Sequence, residues 1–126
     1  MSIKTIETEN APKPIGPYSQ GLVVENLLFT SGQIGIDPKT GSLVSGGIEA
    51  ETKRVFENID AVLVAGGVAR SRVIRVTVYL TDLADFQAVN AVYAQYFGSH
   101  KPVRTTVGVA ALPKGARIEI DLIAVT

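Results

Sequence analysis

An arginine, a glutamate and a tyrosine stand in surroundings that could turn each toward a small polar substrate. Arg104 follows Pro102-Val103, a rigid approach that fixes the backbone where the side chain leaves its strand. Its planar fork can take a carboxylate through two parallel hydrogen bonds. It could equally form an ion pair with Glu119 or Asp121 on a neighbouring strand. Glu119 lies between Ile118 and Ile120, where desolvation would raise its pKa and make it a usable acid or base; on an open sheet face it would be an ordinary glutamate. Tyr18, just after Gly16-Pro17, either projects its phenol into a pocket or packs as an aromatic. Ser31-Gly32 interrupts an apolar strand. Glycine there lets a ligand approach the backbone, and a plain bulge would leave the same signature.

The rest of the inventory narrows the chemistry. The chain has no cysteine and one histidine, which leaves no thiol nucleophile, no zinc-finger spacing and no Ser-His-Asp scheme other than one built on His100. His100, ahead of Lys101-Pro102, reads as an exposed connector. Neither G-x-G-x-x-G nor G-x-x-x-x-G-K-[ST] occurs. Glu119 and Asp121 cannot flank a sugar ring, because two residues along one strand separate their Cα atoms by only about 6.5 Å. Twelve basic residues balance twelve acidic ones, which argues against a nucleic-acid surface. The longest apolar stretch, Ala61 to Ala69, has nine residues including two glycines, short of the ~18 a membrane span needs. With no signal-like start, a soluble cytoplasmic protein is expected.

These candidates need elements to hold them, and 126 residues suffice for one domain over residues 1–126. Residues 2 to 7 predict a short edge strand, followed by a rigid loop with three prolines between Asn10 and Pro17. Tyr18–Val24 and Leu27–Ile36 predict a hairpin around Glu25-Asn26. Residues 48 to 65 carry apolar side chains at helical spacing, stopped by Gly66-Gly67. Arg72 to Thr81 alternates, with Ile74, Val76, Val78 and Leu80 expected to face the helices. Asp82 is an N-cap candidate for a second helix whose stripe is Phe86, Val89, Tyr93, Tyr96 and Phe97, ending at Gly98. Pro102–Ala110 and Arg117–Val125 predict two final strands around a Leu112–Gly115 turn. Two helices cover one face of such a sheet, so the other must be covered otherwise. By alternation it carries some of Phe29, Ser31, Arg75, Thr77, Tyr79, Arg104, Thr106, Glu119 and Asp121, a mixture suited to a subunit interface with a polar pocket.

Five separated blocks now fit one family. Asn10-Ala11-Pro12 with Ile15-Gly16-Pro17-Tyr18-Ser19-Gln20, then Thr30-Ser31-Gly32-Gln33-Ile34, Asp82-Leu83 with Phe86 and Val89-Asn90, Pro102-Val103-Arg104-Thr105-Thr106-Val107, and Ile118-Glu119-Ile120 together resemble the reactive intermediate (imine) deaminases, the Rid or YjgF-type proteins. The resemblance implies an α+β, chorismate-mutase-like mixed sheet with two helices on one face, and a homotrimer with pockets at its interfaces. It implies hydrolysis of small 2-imino acids such as 2-iminobutanoate and 2-iminopropanoate to 2-oxo acids and ammonia, without cofactor or metal. By position, Arg104 would anchor the carboxylate and Glu119 would orient and activate water. Tyr18, Ser31, Gly32 and Asn90 would contact substrate. Thr106 stands where many members have cysteine, and would serve if its backbone carbonyl holds the water. An imine carbon is already electrophilic, so positioning and one acid or base suffice. Two other readings stay open: a carboxylate-binding regulatory module without turnover, and a ribonuclease or translation inhibitor, which the zero net charge disfavours.

Overall fold

The computed structural model describes residues 2–126. A six-stranded sheet is built from β1 (Ile3–Ile6), β2 (Gly21–Val24), β3 (Leu27–Thr30), β4 (Val73–Leu80), β5 (Val103–Gly108) and β6 (Ile118–Val125), with α1 (Gly47–Ala65) and α2 (Phe86–Phe97) between strands. The strands lie in the order β1-β2-β3-β6-β4-β5. Only β4 and β5 pair in parallel, as expected where α2 supplies the crossover between them. None of the described helices is long and apolar enough to cross a membrane.

The core is one layer between helices and sheet. Val55, Phe56, Ile59, Val62 and Leu63 of α1 bury against Val76, Val78 and Leu80 of β4 and Ile118, Ile120 and Leu122 of β6, while Glu49, Lys53 and Glu57 stay exposed. The helix stops as Gly66-Gly67 predicts. Gly67 takes φ +71°, its N–H donates to Val64 O, and the Val68 N–H reaches back to Leu63 O, a Schellman closure that also buries Val68.

Several expectations need correction. Ile74 is 44% exposed and Val73 is fully buried, because a bulge between Val73 and Arg75 resets the alternation. Phe86 is 40% exposed, outside the buried stripe of α2, and Val92 takes a buried place instead. Asp82 caps a 3-10 turn, Leu83–Asp85, leading into α2; its Oδ1 accepts from the Ala84 N–H at 2.9 Å. His100 is no exposed connector: it is half-buried, with Nε2 2.6 Å from Val73 O. Tyr18 lies outside β2, in the loop before it.

The longest correction concerns Leu27–Ile36. The ladder with β6 runs only to Phe29↔Ile123. Thr30 Oγ1 then accepts from the Leu122 N–H at 3.0 Å, and pairing resumes at Gln33↔Ile120 with one more residue on the β3 side. Ser31-Gly32 is therefore a bulge. Beyond it the chain is tied to α1 by Asn58, fully buried, whose Nδ2 donates to Ile34 O at 3.1 Å and Ile36 O at 2.9 Å. Asn58→Ala should orphan both buried carbonyls and lower unfolding stability by about 2–4 kcal/mol, read as a shifted denaturant midpoint at an unchanged slope.

Candidate functional site

Helix α2 and strand β5 assemble the first group of candidates. Phe86, Asn90 and Tyr93 are spaced i, i+4 and i+7, so they form one stripe along α2. In the parallel register Val76 is level with Arg104 and Val78 with Thr106, and both valines point into the core. Arg104 and Thr106 therefore face the helices too. Arg104 Nη1 donates to Asn90 Oδ1 at 2.8 Å, and its guanidinium lies 4.7 Å from the ring centre of Tyr93 and 5.4 Å from that of Phe86. Two aromatic faces and an amide oxygen hold the fork in one plane. None of the ion pairs among the described residues uses Arg104, so its other donors remain for a ligand. The Tyr93 hydroxyl and Thr106 Oγ1 are buried with no hydrogen-bond partner. Burial pushes the Tyr93 phenol pKa up, and the Arg104 charge partly opposes this.

The second group lies on the opposite face. Glu119 is level with Tyr79, both half-buried. Its carboxylate leans on the bulge: a Cβ on Gly32 would come 2.2 Å from Glu119 Oε2, so any larger residue there must push the carboxylate from its present place. Desolvation pushes the Glu119 pKa up, and the negative charge of Asp121 adds to this. Ser31 is fixed beside it, its N–H donating to Gln20 O at 2.9 Å and its hydroxyl to Ser19 O. Tyr18 is 46% exposed, and its hydroxyl accepts from the Ile15 N–H at 3.2 Å, closing the turn it sits on. A cavity of about 600 Å³ opens beside it, reaching Glu7, Lys13 and Gln20 but neither Arg104 nor Glu119.

The candidates thus form two sets. Arg104, Asn90 and Thr106 share one face; Tyr18, Ser31, Gly32 and Glu119 belong with the other. Of the residues that alternation offers to the open face, Arg104 and Thr106 are not on it, because the β4–β5 register puts them in phase with core valines. The alternative ion pair of Arg104 with Glu119 or Asp121 fails for the same reason. Among the described residues no cluster of three His, Cys, Asp or Glu side chains is arranged to hold a metal ion.

Sequence reasoning missed three contributions, made by five residues. Gln20, 3% exposed, accepts from the Thr8 N–H and donates to the carbonyls of Thr8, Ala11 and Pro12, which pins the loop leading to Tyr18. A glutamine beside a proline-rich loop gives no periodic signal. Phe86 and Tyr93 were legible as helix stripe, but their role as a cradle shows only once β5 is placed. Tyr79 and Asp121 are joined by a 2.9 Å hydrogen bond across strands, a diagonal contact that needs the register.

Comparison with known proteins bears on the fold and the family. The profile of the family described as endoribonuclease L-PSP matches residues 8–126. A RutC family protein of Pyrococcus horikoshii is 56% identical over 121 residues, 96% of each chain. The human 2-iminobutanoate/2-iminopropanoate deaminase is 48% identical over 122 residues, 97% of this chain and 89% of the relative. The crystal structure of YyfA from Yersinia pestis, a member of the conserved Rid protein family, superposes with a TM-score of 0.97 at 45% identity, covering 99% of this chain and 100% of that one. The α+β sheet with its two helices is the architecture of these neighbours, and the chain belongs to the Rid (YjgF, endoribonuclease L-PSP) family.

Proposed function

We propose that this protein hydrolyses small 2-imino acids to 2-oxo acids and ammonia, at sites completed between subunits of a homotrimer in the cytoplasm. The observation that carries the reading is the pair of half-sites: a guanidinium held flat with free donors on one face, and a desolvated carboxyl pressed against a glycine on the other. Relatives at about half identity that bear the deaminase name support the reaction class.

The chemistry asks for little. Arg104 takes the substrate carboxylate through its remaining N–H groups, which fixes the imine carbon relative to the partner half-site. Glu119 accepts a proton from water as the oxygen adds to that carbon. Glu119 returns that proton to the carbinolamine nitrogen, the C–N bond breaks, and as the carbonyl forms the hydroxyl proton passes by way of Glu119 to the departing ammonia, which restores the carboxylate. Raised proton affinity makes Glu119 a better base near neutral pH than an ordinary carboxylate. Thr106 contributes its backbone carbonyl to the water, while Tyr18, Ser31, Gly32 and Asn90 line the pocket. Water is the nucleophile in these steps, and none of them calls on a side-chain nucleophile, a cofactor or a metal.

Semicarbazide trapping of iminopropanoate made in place by an amino-acid oxidase tests the activity. Wild-type protein should suppress the adduct. Arg104→Ala should lose about 1.5–3 kcal/mol of transition-state binding, or roughly 10- to 150-fold in kcat/KM; Arg104→Lys should not rescue it, since lysine lacks the fork. Binding of 2-oxo acids without any adduct suppression would favour a regulatory module, and RNA cleavage persisting in Arg104→Ala and Glu119→Gln would favour a ribonuclease. Mixing unfolded and refolded Arg104→Ala with Glu119→Gln chains one to one should return about a quarter of the activity, because a quarter of interfaces then pair two intact halves. No recovery would place both residues in one chain's site. Gly32→Ala should displace the Glu119 carboxylate and reduce kcat by about tenfold or more, with KM changed less.

A further inference from the structure

We propose that Asp121, held in place by the Tyr79 hydroxyl, is a positioning residue that sets the proton affinity of Glu119; this rests on reading Glu119 as the group that activates water. Glu119 and Asp121 are two residues apart on β6 and project from the same face, their Cα atoms about 6.5 Å apart. Tyr79 stands level with Glu119, and its hydroxyl reaches diagonally to donate to Asp121 Oδ2 at 2.9 Å. That bond keeps the Asp121 carboxylate over the sheet instead of turning it toward solvent.

Within one chain the other groups facing Glu119 leave this charge without a close rival. The Arg104 that the proposed trimer brings up from a neighbouring subunit is unchanged in the Asp121 variants, so it cancels in their comparison with wild type. On β4 the titratable neighbours are Tyr79 and Arg75. Arg75 is exposed and its Nη2 donates to Thr105 Oγ1 at 3.2 Å, which directs the cation toward β5. Val107, level with Tyr79 on β5, and Gly32 on the bulge bring no charge. A like charge two residues away disfavours the ionised form of Glu119, in the same direction as its desolvation. A stronger base results, and the device is electrostatic, so it depends on the charge at position 121 and not on the shape of the side chain.

The test is a titration of the whole protein with ¹³C-labelled glutamate and aspartate side-chain carboxyls, together with the pH dependence of imine hydrolysis. Asp121→Asn keeps an acceptor for Tyr79 and removes the charge. It should lower the Glu119 midpoint by about half to one pH unit and move the acid limb of kcat/KM the same way by the same amount. Asp121→Glu, which keeps the charge, should retain the elevated midpoint. An unmoved midpoint in Asp121→Asn overturns the proposal, as does an equal fall in Asp121→Glu, which would mark a packing effect. If the midpoint falls while the acid limb stays, Asp121 sets the proton affinity of Glu119 and the reading of Glu119 as the base fails. If wild-type protein hydrolyses no imine, the deaminase reading fails, and the NMR midpoint still decides the role of Asp121.

Discussion

The parallel pairing of β4 with β5 is the constraint from which the rest of the site follows. In that register Arg104 and Thr106 fall in phase with Val76 and Val78, so their side chains meet α2, whereas Glu119, in phase with Tyr79, stands on the uncovered face. Two residues suited to one reaction are thereby separated by the thickness of their own sheet. Had β5 paired one residue out of step, Arg104 would have faced Glu119 and Asp121, and a permanent ion pair would have occupied its donors. The parallel ladder prevents that neutralisation and leaves a cation restrained by an amide and two aromatic rings. Such partners orient a guanidinium without cancelling its charge.

Much of this was readable from residue order, and the failures share a cause. Both helices, the Schellman stop at Gly66-Gly67 and the buried alternation of Ile118, Ile120, Leu122 and Ala124 follow from local periodicity and turn chemistry, which act over a few residues. Ile74 and the continuous strand expected over Leu27–Ile36 fail because one extra residue reverses alternation for everything after it, and nothing in the local pattern fixes where the phase changes. The face of Arg104 stays open in the sequence for a related reason: a strand of mixed composition, Val-Arg-Thr-Thr-Val-Gly, alternates equally well in either phase. Only the identity of its neighbour decides. His100, drawn in by the Val73 carbonyl, and Gln20, which holds carbonyls from eight to twelve residues away, were set by partners that sequence spacing does not reveal.

The Ser31-Gly32 bulge satisfies both readings offered by its sequence. It is a bulge by register, and it is a close approach by geometry, since the space a Cβ would fill is taken by the Glu119 carboxylate. The two are mechanically linked. The extra residue falls where Gly32 passes against Glu119, and Thr30 Oγ1 takes the Leu122 N–H where the ladder is interrupted. Asn58 beyond the bulge and Gln20 before it anchor its flanks through buried hydrogen bonds. The segment is thus held at both ends by α1 and the N-terminal loop.

The two unpaired hydroxyls sharpen the contrast between the half-sites. A buried hydroxyl without a partner costs about 1–3 kcal/mol, and both, Tyr93 OH and Thr106 Oγ1, belong to residues beside Arg104. The Glu119 side carries the opposite imbalance, a carboxyl whose charged form is disfavoured by burial and by Asp121. One half has donors to spare and the other seeks a proton. In the proposed reaction the substrate carboxylate would meet the spare donors and the water adding to the imine carbon would release a proton to Glu119. Both imbalances would then be relieved most completely as the proton moves, the condition for binding the transition state more tightly than the ground state.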